Sequence, residues 1–172
     1  MEAVEASQGW VTSVRASSPP LTLLGSLDGI EAGLRQLRRS RPLEVEEVAI
    51  GERTLRVPTL AECLRIKSYL VVQRNQVRDY LDVVALAERS GREGALRTLG
   101  GIDAYYRDRS GREEAVLTSL VQRLSEPTPR DRRVTHQLAA YKGLEQRWHS
   151  WSAVEAACAD LADALVARME PS

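Results

Sequence analysis

The chain has 172 residues, 43% of them hydrophobic, enough to close one domain of ordinary size or two small ones. Its 24 basic and 24 acidic residues cancel, which excludes a strong global field for nucleic acid and leaves any such contact to a local cluster. Arginine supplies 22 of the basic residues, so Lys67 and Lys142 stand apart.

The N-terminal MEAVEASQGW lacks the basic and apolar regions of a signal peptide. No apolar run approaches the roughly 18 residues of a membrane span. A cytoplasmic protein without a membrane partner is the resulting expectation. VTSVRA (11–16) and PLTLLG (20–25) read as strands, parted by Ser17-Ser18-Pro19-Pro20. Asp28 followed by Glu31 has the form of a capping box. Ile30, Leu34 and Leu37 recur at helical spacing, which predicts a helix ending in RRSRP.

PLEVEEVAI (42–50), Gly51-Glu52 and RTLRV (53–57) predict a β-hairpin. Leu43 and Val45 fall on one parity, Val48 and Ile50 on the other, so a bulge near Glu46-Glu47 is expected. From Pro58 the pattern is helical. Thr59 and Glu62 form a capping box for a helix to about Gln73, and Arg74-Asn75-Gln76 reads as a tight break. A second helix runs to about Arg89 and is stopped at Ser90-Gly91. Short helices follow at 92–99 and 102–108. Ser110 to Glu113 caps another, to about Ser125. Thr128-Pro129 opens the next, which Gly143 ends. Ser152 and Glu155 cap the last, with Val154, Cys158, Leu161 and Leu165 on one stripe.

The expected fold class is α+β, with residues 1–57 as a small N-terminal β/α part and 58–172 as a helical domain. About four short strands and one helix make a thin sheet that needs covering. That suggests a piece of a larger fold or a surface for a partner. Cys63 and Cys158 lie among apolar residues and read as buried free thiols. His136 and His149 have no ligand register around them. Trp148 and Trp151 read as packing anchors, Tyr105-Tyr106 as a helix end packed on the core, and Arg130, Arg132 and Arg133 as a solvated face.

Six charged residues, among them Lys67, Arg74, the pair Arg78-Asp79 and Asp82, interrupt LRIKSYLVVQRNQVRDYLDVVAL (64–86). With Lys67 at zero on a helical wheel, Arg74, Arg78 and Asp82 fall within about 60° of it. One explanation is a solvated face, with Arg78 and Asp82 as an i,i+4 pair contributing about 0.2–0.5 kcal/mol. The other is a phosphate site. Lysine and arginine suit phosphate oxygens, and Asp79 and Asp82 offer hard oxygens for Mg²⁺ or an anchor for a hydroxyl.

The stretch VPTLAECLRIKSYLVVQRNQVRDYLDVVAL (57–86) resembles the helical signature of the AbiEii/AbiGii toxin family. These are nucleotidyltransferases of abortive-infection and toxin–antitoxin systems in the DNA polymerase β-like superfamily. The pattern is a small turn element, here Val57-Pro58-Thr59, then a helical Lys, an Arg one or two turns on, Arg-Asp, and a second Asp three residues later. Lys67, Arg74, Arg78, Asp79 and Asp82 match it, and the resemblance covers about residues 55–90. It implies transfer of a nucleotide from an NTP to an RNA or protein acceptor with Mg²⁺. Lys67, Arg74 and Arg78 would bind the nucleotide, and Asp79 and Asp82 would act catalytically. An antitoxin protein and a tRNA acceptor would be partners.

That superfamily also needs a Gly-Ser at a strand-to-helix turn and an Asp-x-Asp pair on the next strand, for the triphosphate and the metal ions. The N-terminal third contains no Asp-x-Asp. Gly25-Ser26 and Glu44-Val45-Glu46 repeat the order of elements. Ser26 is therefore the candidate phosphate contact and Glu44 and Glu46 the candidate metal ligands. The second reading is a non-catalytic remnant or interaction module that binds an antitoxin, nucleic acid or a complementing chain.

Overall fold

In a computed structural model, residues 2–18, 22–36, 39–107 and 115–169 are described. The chain divides into two compact units, Met1–Arg38 and Arg39–Ser172. The class is α+β: small antiparallel sheets come first and helices follow.

The first unit holds a single helical turn, α1 (Glu2–Glu5), and a three-stranded antiparallel meander. Its strands are β1 (Trp10–Thr12), β2 (Thr22–Leu27) and β3 (Ile30–Arg35). The helix expected after Asp28 is thus a strand. Asp28 and Gly29 both have positive φ, 50° and 81°. This is the two-residue turn whose twist matches that of the flanking strands. Ile30 and Leu34 are four apart, which places them on one face of a strand as readily as on one face of a helix. The Asp-Gly pair decides between the two. Leu37, Pro19 and Pro20 lie outside the described residues.

Among the described residues of this unit only Leu23 is fully buried. Gly25 is required where it stands. A Cβ there would lie 2.3 Å from the Val11 carbonyl oxygen and 2.7 Å from the Trp10 ring. Gly25→Ala is expected to push β1 off β2 at a cost of about 1–3 kcal/mol. The check is amide hydrogen exchange: protection at residues 10–12 should fall at least about fivefold, the equivalent of the lower end of that cost.

The second unit begins with a hairpin of β4 (Val45–Ile50) and β5 (Arg53–Pro58), joined through Gly51 at φ 61°. Its register runs unbroken from Val45↔Pro58 to Ile50↔Arg53, so the bulge expected at Glu46-Glu47 is absent. The parity conflict rested on Leu43, which precedes the strand, and on a face that had to be buried. Both faces of this ribbon are largely open instead. Val48, Ile50 and Leu55 share one face and are 40%, 60% and 52% exposed.

Six longer segments build the helical body. They are α2 (Leu60–Gln73), α3 (Val77–Ser90), α4 (Arg92–Gly100), α5 (Val116–Ser125), α6 (Trp151–Met169) and a 3-10 stretch (Arg132–Ala140). The stripe Val154, Cys158, Leu161 and Leu165 is buried against Leu64, Val71, Tyr80, Leu99 and Leu120 in one continuous core. Trp148 joins that core, and Trp151 meets Tyr80 edge to face at 5.9 Å. The cap expected at Ser110–Glu113 lies outside the described residues. Asp103 supplies a cap for α5 by accepting from the Leu117 N–H at 3.0 Å.

The break between α2 and α3 is where the sequence places it, and Asn75 is its hub. Asn75 has φ 54°. Its side-chain amide donates to the Thr128 carbonyl at 2.9 Å, and its side-chain oxygen accepts from the Tyr80 hydroxyl at 2.6 Å. Its own carbonyl accepts from the Arg130 N–H at 2.8 Å. Asp131 completes the tether by accepting from the Val77 N–H at 2.8 Å, which caps α3. These bonds occupy residues 128–131. The α-helix expected from Thr128-Pro129 is therefore replaced by the 3-10 stretch, with non-helical backbone at Gln137.

Candidate functional site

Folding α3 back on α2 brings residues 15 apart in sequence into contact. Lys67 Nζ donates to Asp82 Oδ2 at 2.6 Å, and both side chains are 31% exposed. One helical turn away, Arg74 forms an ion pair with Asp79 Oδ1. Asp79 is fully buried, and its second oxygen has no partner among the described atoms. Arg78 is exposed. Four of the five signature residues thus form a ladder of two ion pairs along the helix seam. The i,i+4 pair of Arg78 with Asp82 gives way to the longer-range pair with Lys67.

Lys67 and Arg74 are each matched by a carboxylate across the seam. The partly exposed Lys67–Asp82 pair contributes little. A double-mutant cycle of Lys67→Ala and Asp82→Ala should give a coupling of about 0.2–1 kcal/mol by urea denaturation. A coupling above about 2 kcal/mol would show that the pair is far better shielded than its exposure implies.

A second network lies in the same unit, and no local sequence signal announces it. Glu62 was read as half of a capping box. Thr59 does accept from the Glu62 N–H at 3.1 Å, but the Glu62 carboxylate turns inward and is fully buried. It pairs with Arg39, whose Nη2 lies 3.0 Å away, and with Arg65 Nη1 at 2.7 Å. Arg65 Nη2 then reaches Glu44 at 2.7 Å, and Glu44 also accepts from the Tyr105 hydroxyl at 2.6 Å. The Tyr105 hydroxyl and the Arg65 guanidinium hold the Glu44 carboxyl below its usual range. The Arg65 guanidinium sits 4.1 Å over the Tyr105 ring. Tyr69 and Tyr106 stack at 4.2 Å, and burial pushes the Tyr106 hydroxyl up to about 12. The available signal was Glu44, Glu62 and Arg65, each beside apolar neighbours, and Arg39 within the same 27 residues. No period marks such an arrangement.

The remaining candidates are scattered. Ser26 sits inside β2, and β2 leads into a hairpin turn, so no helix N-terminus stands next to it. It lines an open concavity of about 750 Å³ together with Val11 and Ser13. Glu46 lies on the exposed β4. Both Glu44 oxygens are taken by Arg65 and Tyr105. Glu44 and Glu46 therefore do not fit a magnesium ion. Among the described residues no group of three or more His, Cys, Asp or Glu is placed to hold a metal. Cys158 is buried, which pushes its thiol up to about 12. Cys63 is half-buried, against the expectation of full burial.

No family model matches the chain. No solved structure matches it either. A stretch of 96 residues is 41% identical to the "Heme uptake protein MmpL11" of Mycobacterium tuberculosis. Over the same length it is 38% identical to the "Probable transport protein MmpL11" of Mycobacterium leprae. Over 97 residues it is 36% identical to the "Mycolic acid-containing lipids exporter MmpL11" of Mycolicibacterium smegmatis. Each similarity covers 55% of this chain, and the chain spans about a tenth of the length of these relatives. A contiguous stretch of that share includes residues 79–94 wherever it starts, so nearly all of α3 lies within it.

These relatives correct several expectations. The resemblance to the AbiEii/AbiGii toxins is set aside, and with it nucleotidyl transfer, the toxin and abortive-infection setting, and the antitoxin and tRNA partners. The pattern behind that resemblance is a ladder of ion pairs between two helices, which helical hairpins of many kinds can carry. Cytoplasmic location and the absence of a membrane partner are also set aside, because the relatives are transport proteins. Among the described residues no helix is long and apolar enough to cross a membrane.

Proposed function

We propose that this chain is a module of a transport system of the MmpL11 kind, and that it works by binding through its helical unit. The observation that carries this reading is the 41% identity over a stretch that includes α3. The ion pairs support it. Lys67, Arg74, Arg39 and Arg65 are matched by carboxylates of the same unit, which suits scaffold and docking work better than chemistry on a phosphate. The relatives are described as a heme uptake protein and as a lipids exporter. Both descriptions involve moving a bulky, largely apolar molecule.

A chimera tests this. The similar stretch of the M. tuberculosis heme uptake protein is replaced by that of this chain, and growth on heme as the iron source is measured in a strain lacking the native protein. Growth close to that given by the native protein is the expected result. A chimera present in membranes at normal abundance that supports no growth would sink the proposal.

A further inference from the structure

We infer that β4 is an open edge that takes a second copy of this chain, and that two chains join through it as an antiparallel sheet in the order β5-β4-β4-β5, with Val48 on the two-fold axis. The hairpin closes through Gly51-Glu52, a two-residue turn with positive φ at the glycine. Such a turn is flanked by a hydrogen-bonded pair, here Ile50 and Arg53. The alternation then fixes the rest. Glu46, Val48 and Ile50 bond inward to β5, and the N–H and C=O groups of Val45, Glu47 and Ala49 point away from it. Among the described residues no backbone group takes these up.

The two edges of the ribbon are not alike. β5 ends in Pro58, which has no N–H to offer. β4 is six residues long and carries no proline, glycine, lysine or bulge, the usual devices that keep an open edge from pairing. A lone two-stranded ribbon is marginal in water, and a hydrophobic face shared by more strands stabilises it. That face is present: Val48, Ile50 and Leu55 lie together on one side and stand exposed.

β4 is complementary to itself in one register, which makes a second copy its occupant. Pairing about Glu46 or about Glu47 sets that glutamate against its own counterpart. Pairing about Ala49 sets Glu46 against Glu52. Like charges directly opposite one another destabilise a sheet. Pairing about Val48 avoids all three clashes: Glu46 meets Ile50, Glu47 meets Ala49, and valine meets valine. Each Glu47 keeps Arg56 of its own chain as its cross-strand neighbour. Leu55, Val48 and their two counterparts then form one apolar row across the joined sheet. The contact is isologous, so it closes at two chains.

Sedimentation equilibrium of the full chain tests the pairing. The dimer fraction should rise with concentration. Val48→Lys sets two ammonium groups face to face on the axis and should leave a monomer at every concentration, with the circular dichroism of the helices unchanged. Oxidation of cysteine variants in a Cys63→Ser background tests the register. On the axis the two Val48 Cβ atoms would lie about 4.5–5.5 Å apart, close enough for a disulfide to form with a small adjustment. Val48→Cys should therefore cross-link to itself. Ile50→Cys alone should not, because its counterpart lies four residues along the strand, roughly 13 Å away. Ile50→Cys mixed with Glu46→Cys should cross-link again. A monomer at all concentrations would leave the edge to a strand of another protein and overturn the proposal. So would a dimer that survives Val48→Lys, or Val48→Cys cross-linking no faster than Ile50→Cys.

Discussion

Glu62→Ala should unfold the helical unit at markedly lower denaturant than the parent chain, with a loss of about 3–5 kcal/mol. The carboxylate is fully buried and serves Arg39, Arg65 and, at 3.4 Å, the Glu44 N–H. Removing it leaves two guanidinium groups facing each other in a site where their side chains are 6% and 7% exposed. Coulomb repulsion and lost hydrogen bonds then act together. A domain of this size has about 5–15 kcal/mol in total, so the variant would sit near the edge of folding. Urea denaturation followed by far-ultraviolet circular dichroism measures it. Glu93→Ala is the contrast, because its pairs with Arg97 and Arg168 are exposed and screened by solvent, so its unfolding midpoint should stay close to that of the parent chain. If the two variants behaved alike, burial would not be what makes the Glu62 network matter.

Asn75→Ala should cost about 2–5 kcal/mol, from two sources that can be separated. The backbone stands at φ 54°, where a side chain with a Cβ and no local hydrogen bond is disfavoured by roughly 1–2 kcal/mol. The fully buried Tyr80 hydroxyl would also lose its acceptor, which costs about 1–3 kcal/mol. Asn75→Gly relieves the first cost and keeps the second, so it should be the milder variant by about 1 kcal/mol. Equal losses in the two variants would assign the whole effect to the hydrogen bonds with Tyr80 and Thr128.

The helical unit was readable because its signals are local. The Thr59 cap, the break at Arg74-Asn75-Gln76, the stop at Gly91 and the stripe on α6 each follow from a few adjacent residues, and each is present. The first unit was misread at Asp28. A capping-box spacing and a four-residue apolar interval agreed on a helix, while the shorter Asp28-Gly29 signal carried the answer. The charged stripe was seen as a stripe, but its meaning depended on which residues meet across the α2–α3 seam. Sequence spacing does not encode that pairing. Glu62 shows the same limit. Nothing local separates a capping glutamate from one whose carboxylate turns into the core to meet Arg39, 23 positions earlier.

The two cysteines of the helical unit make the folded chain selective toward thiol reagents. Cys158 is buried in the core and its thiol is pushed up to about 12, so it stays unmodified while the unit is folded. Cys63 is half-buried on α2, one residue from Glu62, and burial with that neighbouring carboxylate raises its thiol more modestly. A maleimide at mildly alkaline pH should therefore mark the native chain once, at Cys63. The appearance of a second label then counts the opening of the core, so mass spectrometry of an unengineered sample can time its unfolding.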